Sequence, residues 1–292
     1  MDSKKLTIVI VSFKSEAKII NCLNSISDPV NIIVVENSNN YNFKKNLEEK
    51  FTNLKCILTG SNLGYAVANN IGLNQVKTKY ALILNPDTLL NDHAIKNFLN
   101  RAEKQKDFWL MGPGNDQMVE LEFNNNSLIE VNNLKGFAIF LNLAKFNNTF
   151  FDENFFLYFE EIDLCKRVKN TNGKIYLDRN IKIIHQGASS VQDDKKFELE
   201  KNRNWHWMWS TFYYNKKHKG FFLALINILP KFFSASIKTL IYSLLFNKNK
   251  RDIYYCRLSG IVNSIIGNKS WYRPCLLYTS DAADDSLRVV LG

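Results

Sequence analysis

Short apolar runs alternate with amphipathic stretches along the first 111 residues. Leu6–Ser12, residues 31–35, residues 55–58 and Tyr80–Leu84 read as strands, with a further strand near residues 108–111. Residues 15–26, 41–51 and 92–103 read as helices, and residues 62–76 begin rich in Gly and Asn and then turn helical. The first helix gathers Ala17, Ile19, Ile20, Leu23 and Ile26 on one side, the spacing of a face packed on a sheet. Nearly unbroken apolar runs mark strands covered on both faces. Strands alternating with helices predict βαβ units and a parallel sheet, and no internal repeat interrupts them.

From 119 to 141 the pattern changes to short extended pieces separated by Asn-rich breaks. Residues 150–159 are strongly aromatic and contain Asp152 and Glu153. Glu160–Asn170 reads as a helix ending at Asn172-Gly173, a good C-terminal signal, and residues 174–177 and 181–184 read as two strands. Beyond Val191 the chain becomes basic, aromatic and helical. Residues 221–246 are apolar but carry Pro230, Lys231 and Lys238, and lysines near the middle make spanning a bilayer costly.

Charge divides the chain in the same place. Residues 1–194 carry 22 basic and 22 acidic side chains, whereas residues 195–274 carry 15 basic and 3 acidic. A basic segment with aromatic and apolar faces reads as an anionic membrane interface element; helices packed on the first domain with a solvated lysine face are the alternative. No nucleic-acid-binding signature is present, so no nucleic acid partner is expected. The five cysteines show no paired spacing, which argues against a disulfide framework and suits a reducing compartment. The N-terminal apolar run is too short for a secretory signal. Residues 275–292 resemble a translated sequencing adapter, so they are expected to be a non-native tail.

Three places carry candidate chemistry. Tyr80–Leu84 runs into Asn85-Pro86-Asp87, which puts Asp87 at the carboxyl end of a buried strand, where open α/β sheets bind ligands. A carboxylate there can hold a hard divalent cation, or it can cap the next helix. Glu160, Glu161 and Asp163 open a helix; they suit its dipole, but three carboxylates exceed what a cap requires. Glu36 ends a strand, either at a ligand edge or as an exposed turn residue, and Gly64 allows close backbone approach or a positive φ.

Six stretches in order resemble family 2 glycosyltransferases of the GT-A fold, in their rhamnosyltransferase-like branch. They are Ile8-Val-Ile-Val-Ser-Phe13, Ile33-Val-Val-Glu-Asn-Ser38, Asn62-Leu-Gly-Tyr-Ala66 with Asn69, Asn70 and Gly72, Leu84-Asn-Pro-Asp87, Phe151-Asp-Glu153 through Tyr158-Phe-Glu-Glu-Ile-Asp-Leu-Cys165, and Ile184-His-Gln-Gly-Ala-Ser189. The resemblance implies a Rossmann-like nucleotide-binding sheet with helices on both faces over residues 1–191, and the shift in charge sets off a basic helical appendage over 192–274. It implies Ser12, Glu36, Asn62, Gly64, Asn69 and Asn85 at a nucleotide-sugar donor. Asp87 and His185 would hold a divalent cation, Mg or Mn. Glu161 stands where the family has its Asp base, with Asp163 and Glu160 as substitutes. The implied activity is inverting transfer of a sugar, with rhamnose from dTDP-rhamnose favoured, to a saccharide or lipid-linked acceptor in surface polysaccharide synthesis. The implied place is the inner face of the cytoplasmic membrane. A catalytically silent sugar-nucleotide or polysaccharide binding protein on the same fold is the alternative reading.

Overall fold

The computed structural model describes residues 5–114, 127–186 and 193–273, with the side chains of 193–196 left aside. The alternating half of the sequence folds as its periodicity predicts. In order come β1 (Leu6–Ser12), α1 (Glu16–Asn24), β2 (Asn31–Glu36), α2 (Tyr41–Lys50), β3 (Leu54–Leu58), α3 (Tyr65–Leu73) and β4 (Tyr80–Leu84). β5 (Thr88–Leu90), α4 (Ala94–Lys104), β6 (Phe108–Gly114), β7 (Leu128–Glu130), β8 (Ala138–Asn142), α5 (Glu160–Asn170) and β9 (Lys174–His185) complete the sheet and its helices. All five residues of β4 and of β8 are buried, as strands covered on both faces must be.

The sheet runs in the order β3-β2-β1-β4-β8-β6-β9-β5, with β7 on β9. The expected parallel sheet holds for β1 to β4, and β6 is parallel to β9. β8 corrects the rest: it enters antiparallel to both β4 and β6, so the sheet is mixed. Its apolar run fits a central slot in either direction, which is why periodicity alone did not reveal its sense. The two strands expected at 174–177 and 181–184 are one strand of 12 residues. The polar triplet Asp178-Arg179-Asn180 that separates them in sequence is a local irregularity in the β6–β9 register rather than a turn. Asp178 is buried there, and Arg101 Nε donates to its carboxylate at 2.7 Å.

One core lies on each side of the sheet. Tyr80, Phe98, Phe108 and Phe140 stack on one side, with Phe98 and Phe140 at 4.9 Å between ring centroids. On the other side α3 and α5 cover Val9, Ala81, Ile83 and Ile139. Cys22, Cys56, Cys165 and Cys256 are buried free thiols.

The basic segment forms α6 (Asp193–Lys219), α7 (Phe221–Leu244) and α8 (Lys248–Ile265). Met208, Phe212, Ala224, Ile228 and Ile261 make its internal core. The segment is also tied to the aromatic stretch before α5: Ser210 Oγ donates to Leu157 O at 2.9 Å and Tyr213 Oη donates to Asp152 at 3.0 Å. Among the described residues α7 alone is long and apolar enough to cross a membrane, by length and composition only. Its exposed residues Phe222, Ile226, Leu229, Phe233, Ile237, Leu240 and Leu244 fall at helical spacing and form one outward stripe. At about 100° per residue, Lys231 and Lys238 lie on the far side of the helix from that stripe.

Candidate active site

β1, β2 and β3 progress to one side of the sheet, and β4 returns to the other side of β1. The strand order therefore reverses between β1 and β4, and ligands of open α/β sheets bind outside the carboxyl ends of such a pair. A cleft of about 800 Å³ lies there, lined by Phe13, Asn37, Asn62, Gly64, Asn85 and Asp87, among others. A second lobe of about 890 Å³ continues over the ends of β2 and β3; Phe13, Lys14, Asn62 and Phe156 line both.

Asp87 does not cap a helix. β5 intervenes, and α4 begins at Ala94 with His93 before it. Instead β5 pairs antiparallel with β9, setting Thr88 opposite His185. Asp87 Oδ1 and His185 Nε2 then lie 3.2 Å apart. The two residues that the sequence nominated for a cation, 98 positions apart, are thus brought together. Burial opposes ionisation of Asp87, but the hydrogen bond and charge of His185 outweigh it and hold the carboxyl below its usual range. His185 stacks on Phe137 at 4.9 Å, and Phe137 O accepts from Asn85 N at 2.8 Å.

The acidic helix start lies on the other side of the same segment. A Cβ on Gly136 would sit 3.6 Å from the Glu161 carboxyl carbon, so the Glu161 side chain lies against this backbone at ordinary contact distance. Tyr65 Oη donates to Gly136 O at 2.6 Å. Burial raises the Glu160 carboxyl well above its usual range, and the neighbouring Glu161 charge adds to this. Burial also raises Glu161, against the pull of the N–H groups at the helix start. The two carboxyls titrate as a pair, sharing the cost of negative charge. The turn that presents them is strained: Tyr158 and Phe159 both take left-handed backbone, at φ 70° and 71°. Trp207 of α6 packs against both rings and Tyr214 against Phe159, which holds the turn in place.

Asp163 has a different setting. It is fully buried; Arg167 Nε donates to one oxygen at 2.8 Å, and Lys217 Nζ and His218 Nε2 reach the other at 2.7 and 2.8 Å. Both oxygens are engaged, one by Arg167 within α5 and the other in fastening α6 to α5.

Of the six residues nominated for the donor, Asn62, Gly64 and Asn85 line the cleft. Ser12, Glu36 and Asn69 are buried behind its wall. Ser12 Oγ bonds Ser15 Oγ at 2.9 Å, Glu36 accepts from Ser38 N and Oγ, and Asn69 Nδ2 donates to Tyr65 O. Gly64 is needed on both counts: its φ is +85°, and a Cβ would come within 2.5 Å of the Phe156 backbone and ring. Asn37 escaped nomination although it organises the loop, donating to Asn62 Oδ1 and Gly64 O and accepting from Leu63 N. Asn202 and Arg203 of α6 also line the cleft, and Asn202 Oδ1 is buried without a partner among the described residues. No local sequence signal places a distant helix there. Gly187, Ala188 and Ser189, which flank His185 in the motif, and residues 275–292 lie outside the described residues.

The fold agrees with what the chain is similar to. It is 25% identical over 220 residues to the low-salt glycan biosynthesis hexosyltransferase Agl10 of Haloferax volcanii, covering 66% of this chain and 70% of that protein. A teichoic acid poly(glycerol phosphate) polymerase of Staphylococcus epidermidis is 32% identical over 105 residues, 33% of this chain and 15% of its own length. Among solved structures, S. aureus TarS superposes with a TM-score of 0.53 at 13% identity, over 87% of this chain and 55% of TarS. GalNAc-T7 with UDP, GalNAc and Mn2+ gives 0.53 at 12% identity, over 70% of this chain and 51% of its own. The chain thus spans about half the length of these structural neighbours, which share the GT-A fold with it. The description "Glycosyl transferase family 2" matches residues 7–165, from β1 through the acidic turn of α5, and the chain belongs to that family.

Proposed function

We propose that this glycosyltransferase moves a sugar from a nucleoside diphosphate donor to a saccharide or lipid-linked acceptor in one inverting displacement. The pairing of Asp87 with His185 at the strand-order reversal carries this reading. One carboxylate and one imidazole, with facing atoms 3.2 Å apart, suit adjacent ligands of a small divalent cation with bonds of roughly 2.0–2.1 Å. Among the described residues no group of three or more such side chains gathers, which fits an ion completed by diphosphate oxygens and water. Magnesium or manganese there supplies a Lewis acid for the departing diphosphate. Asp87 and His185 orient the diphosphate end, and the Asn62–Gly64 loop shapes the wall beside it. Glu161, its basicity raised by burial, accepts the proton of the attacking acceptor hydroxyl. Rhamnose from dTDP-rhamnose is the favoured donor because of the motif resemblance, and a UDP-sugar is its competitor because TarS has been crystallised with UDP. Nucleoside diphosphate release across a donor panel, with and without chelator, tests the reading. No release from any donor with any acceptor would sink it.

We place the enzyme at the inner face of the cytoplasmic membrane, held by α7. The outward apolar stripe offers burial in the interface, and the 15 basic residues of 195–274 offer attraction to anionic lipid. The full chain is expected to bind anionic vesicles at least tenfold more tightly than neutral ones, and less tightly in high salt. Replacing Ile226 and Phe233 by Glu should abolish vesicle binding without changing the melting temperature. Equal binding of the parent to both lipids, or unchanged binding of the variant, would remove the membrane from the reading.

A further inference from the structure

The two lobes of the cleft meet at Phe156, and the residue stacked on that ring comes from the far end of the chain. We infer that Arg273, with Lys269 beside it, binds a phosphoryl group of the nucleotide donor. The inference rests on the sugar-transfer reading above.

The loop after α8 is anchored at several points. Trp209 Nε1 donates to Asn268 O at 3.0 Å, and Trp271 Nε1 donates to Asn263 Oδ1 at 3.0 Å. His206 holds its centre: Nε2 donates to Tyr272 O at 2.8 Å, so Nδ1 is left to accept from Ser270 Oγ, also at 2.8 Å. Burial pushes His206 down to about 3, which keeps it neutral and this pattern of bonds fixed. The His206 ring stacks on Phe156 at 4.6 Å, and the Arg273 guanidinium lies 3.5 Å from the centre of the same ring. Phe156 O in turn accepts from Tyr65 N at 2.9 Å. The C-terminal loop, the aromatic turn and the glycine loop are therefore one fastened unit.

Among the described residues Arg273 has no counterion. Its Nη1 donates to Ser270 O and Tyr272 O, both at 2.9 Å. Its Nε and Nη2 have no hydrogen-bond partner among the described residues, and neither Arg273 nor Lys269 pairs with a carboxylate there. Glu153 lines the same lobe, but its Oε1 accepts from Asn70 Nδ2 at 3.0 Å. Burial brings the guanidinium down to about 10, still charged at neutral pH. A partly desolvated guanidinium with an open N–H fork matches a phosphate better than a neutral base or sugar. Arg273 lines the lobe over β2 and β3, and the Phe156 ring beneath it lines both that lobe and the one that reaches Asp87.

Titration of the full chain with UDP and dTDP, and separately with uridine and thymidine, tests this. Arg273→Ala and Arg273→Met should each bind the preferred diphosphate at least tenfold more weakly. The matching nucleoside should bind both variants as it binds the parent. Arg273→Met keeps apolar packing on Phe156, so it separates charge from a collapsed loop. Undiminished diphosphate binding, or equal loss for diphosphate and nucleoside, would overturn the inference while leaving sugar transfer standing. A parent chain that binds no nucleoside diphosphate at all would overturn both.

Discussion

Asp87→Ala is expected to lower turnover about a thousandfold, roughly 4 kcal/mol of transition-state stabilisation, while leaving the melting temperature close to that of the parent. The large effect follows from its place: its carboxylate follows β4 in the cleft wall and faces His185. The small structural effect follows from the backbone. Asp87 O accepts from Gln186 N at 3.0 Å, and β5 pairs with β9 through main-chain groups, neither of which needs the side chain. Residual turnover should no longer respond to magnesium or manganese. His185→Ala should lose less activity and more stability, because its ring also packs on Phe137. A folded Asp87→Ala enzyme with parental, metal-dependent turnover would remove Asp87 from the chemistry.

Glu161→Gln should bind donor as the parent does and lose transfer by about two to four orders of magnitude, the usual share of a general base. The pH profile supplies a sharper readout. A base works deprotonated, and burial raises the Glu161 carboxyl above the ordinary carboxylate range. The acidic limb of the parental rate profile should therefore lie above pH 4.5, the ordinary value for Glu, with rate rising as pH increases through it. Glu161→Gln should flatten that limb. Asp163→Asn should lose stability first, since Arg167, Lys217 and His218 would face a neutral amide in place of a buried carboxylate. If Glu161→Gln turns over normally and a folded Asp163→Asn does not, the base is Asp163.

The sequence made the first half of the sheet readable because each of its strands is locally complete. β1 and β4 have the bounds the apolar runs predict, and α5 begins and ends where its acidic start and Asn172-Gly173 predict. What escaped was relational. The direction of β8 depends on where the preceding segment delivers the chain, and the pairing of β5 with β9 depends on strands about a hundred residues apart. Asp87 and His185 could be nominated singly, from a strand end and a motif, but their shared site is a property of that pairing. The C-terminal helices hid more. Their charge and aromatic content pointed outward, to a surface, whereas Asn202, Arg203, Lys269 and Arg273 turn inward to the cleft. Periodicity reports which face of a helix is covered, and α6 is covered on several sides by different partners, the aromatic stretch before α5 on one and α7 and α8 on others.

The four buried thiols give each of these experiments a built-in gauge. Cys22 lies on α1, Cys56 on β3, Cys165 on α5 and Cys256 on α8, so each reports on a different element of the fold. Burial pushes Cys22 to about 11 and Cys165 and Cys56 to about 12, and raises Cys256 as well. Only the thiolate reacts with iodoacetamide, so the intact fold should modify these four slowly and an opened region should modify its own cysteine fast. Peptide mapping of a brief pulse would then say which part of a variant has loosened. A variant that is inactive yet labels like its parent has lost chemistry; one that labels at Cys165 alone has lost the seat of α5.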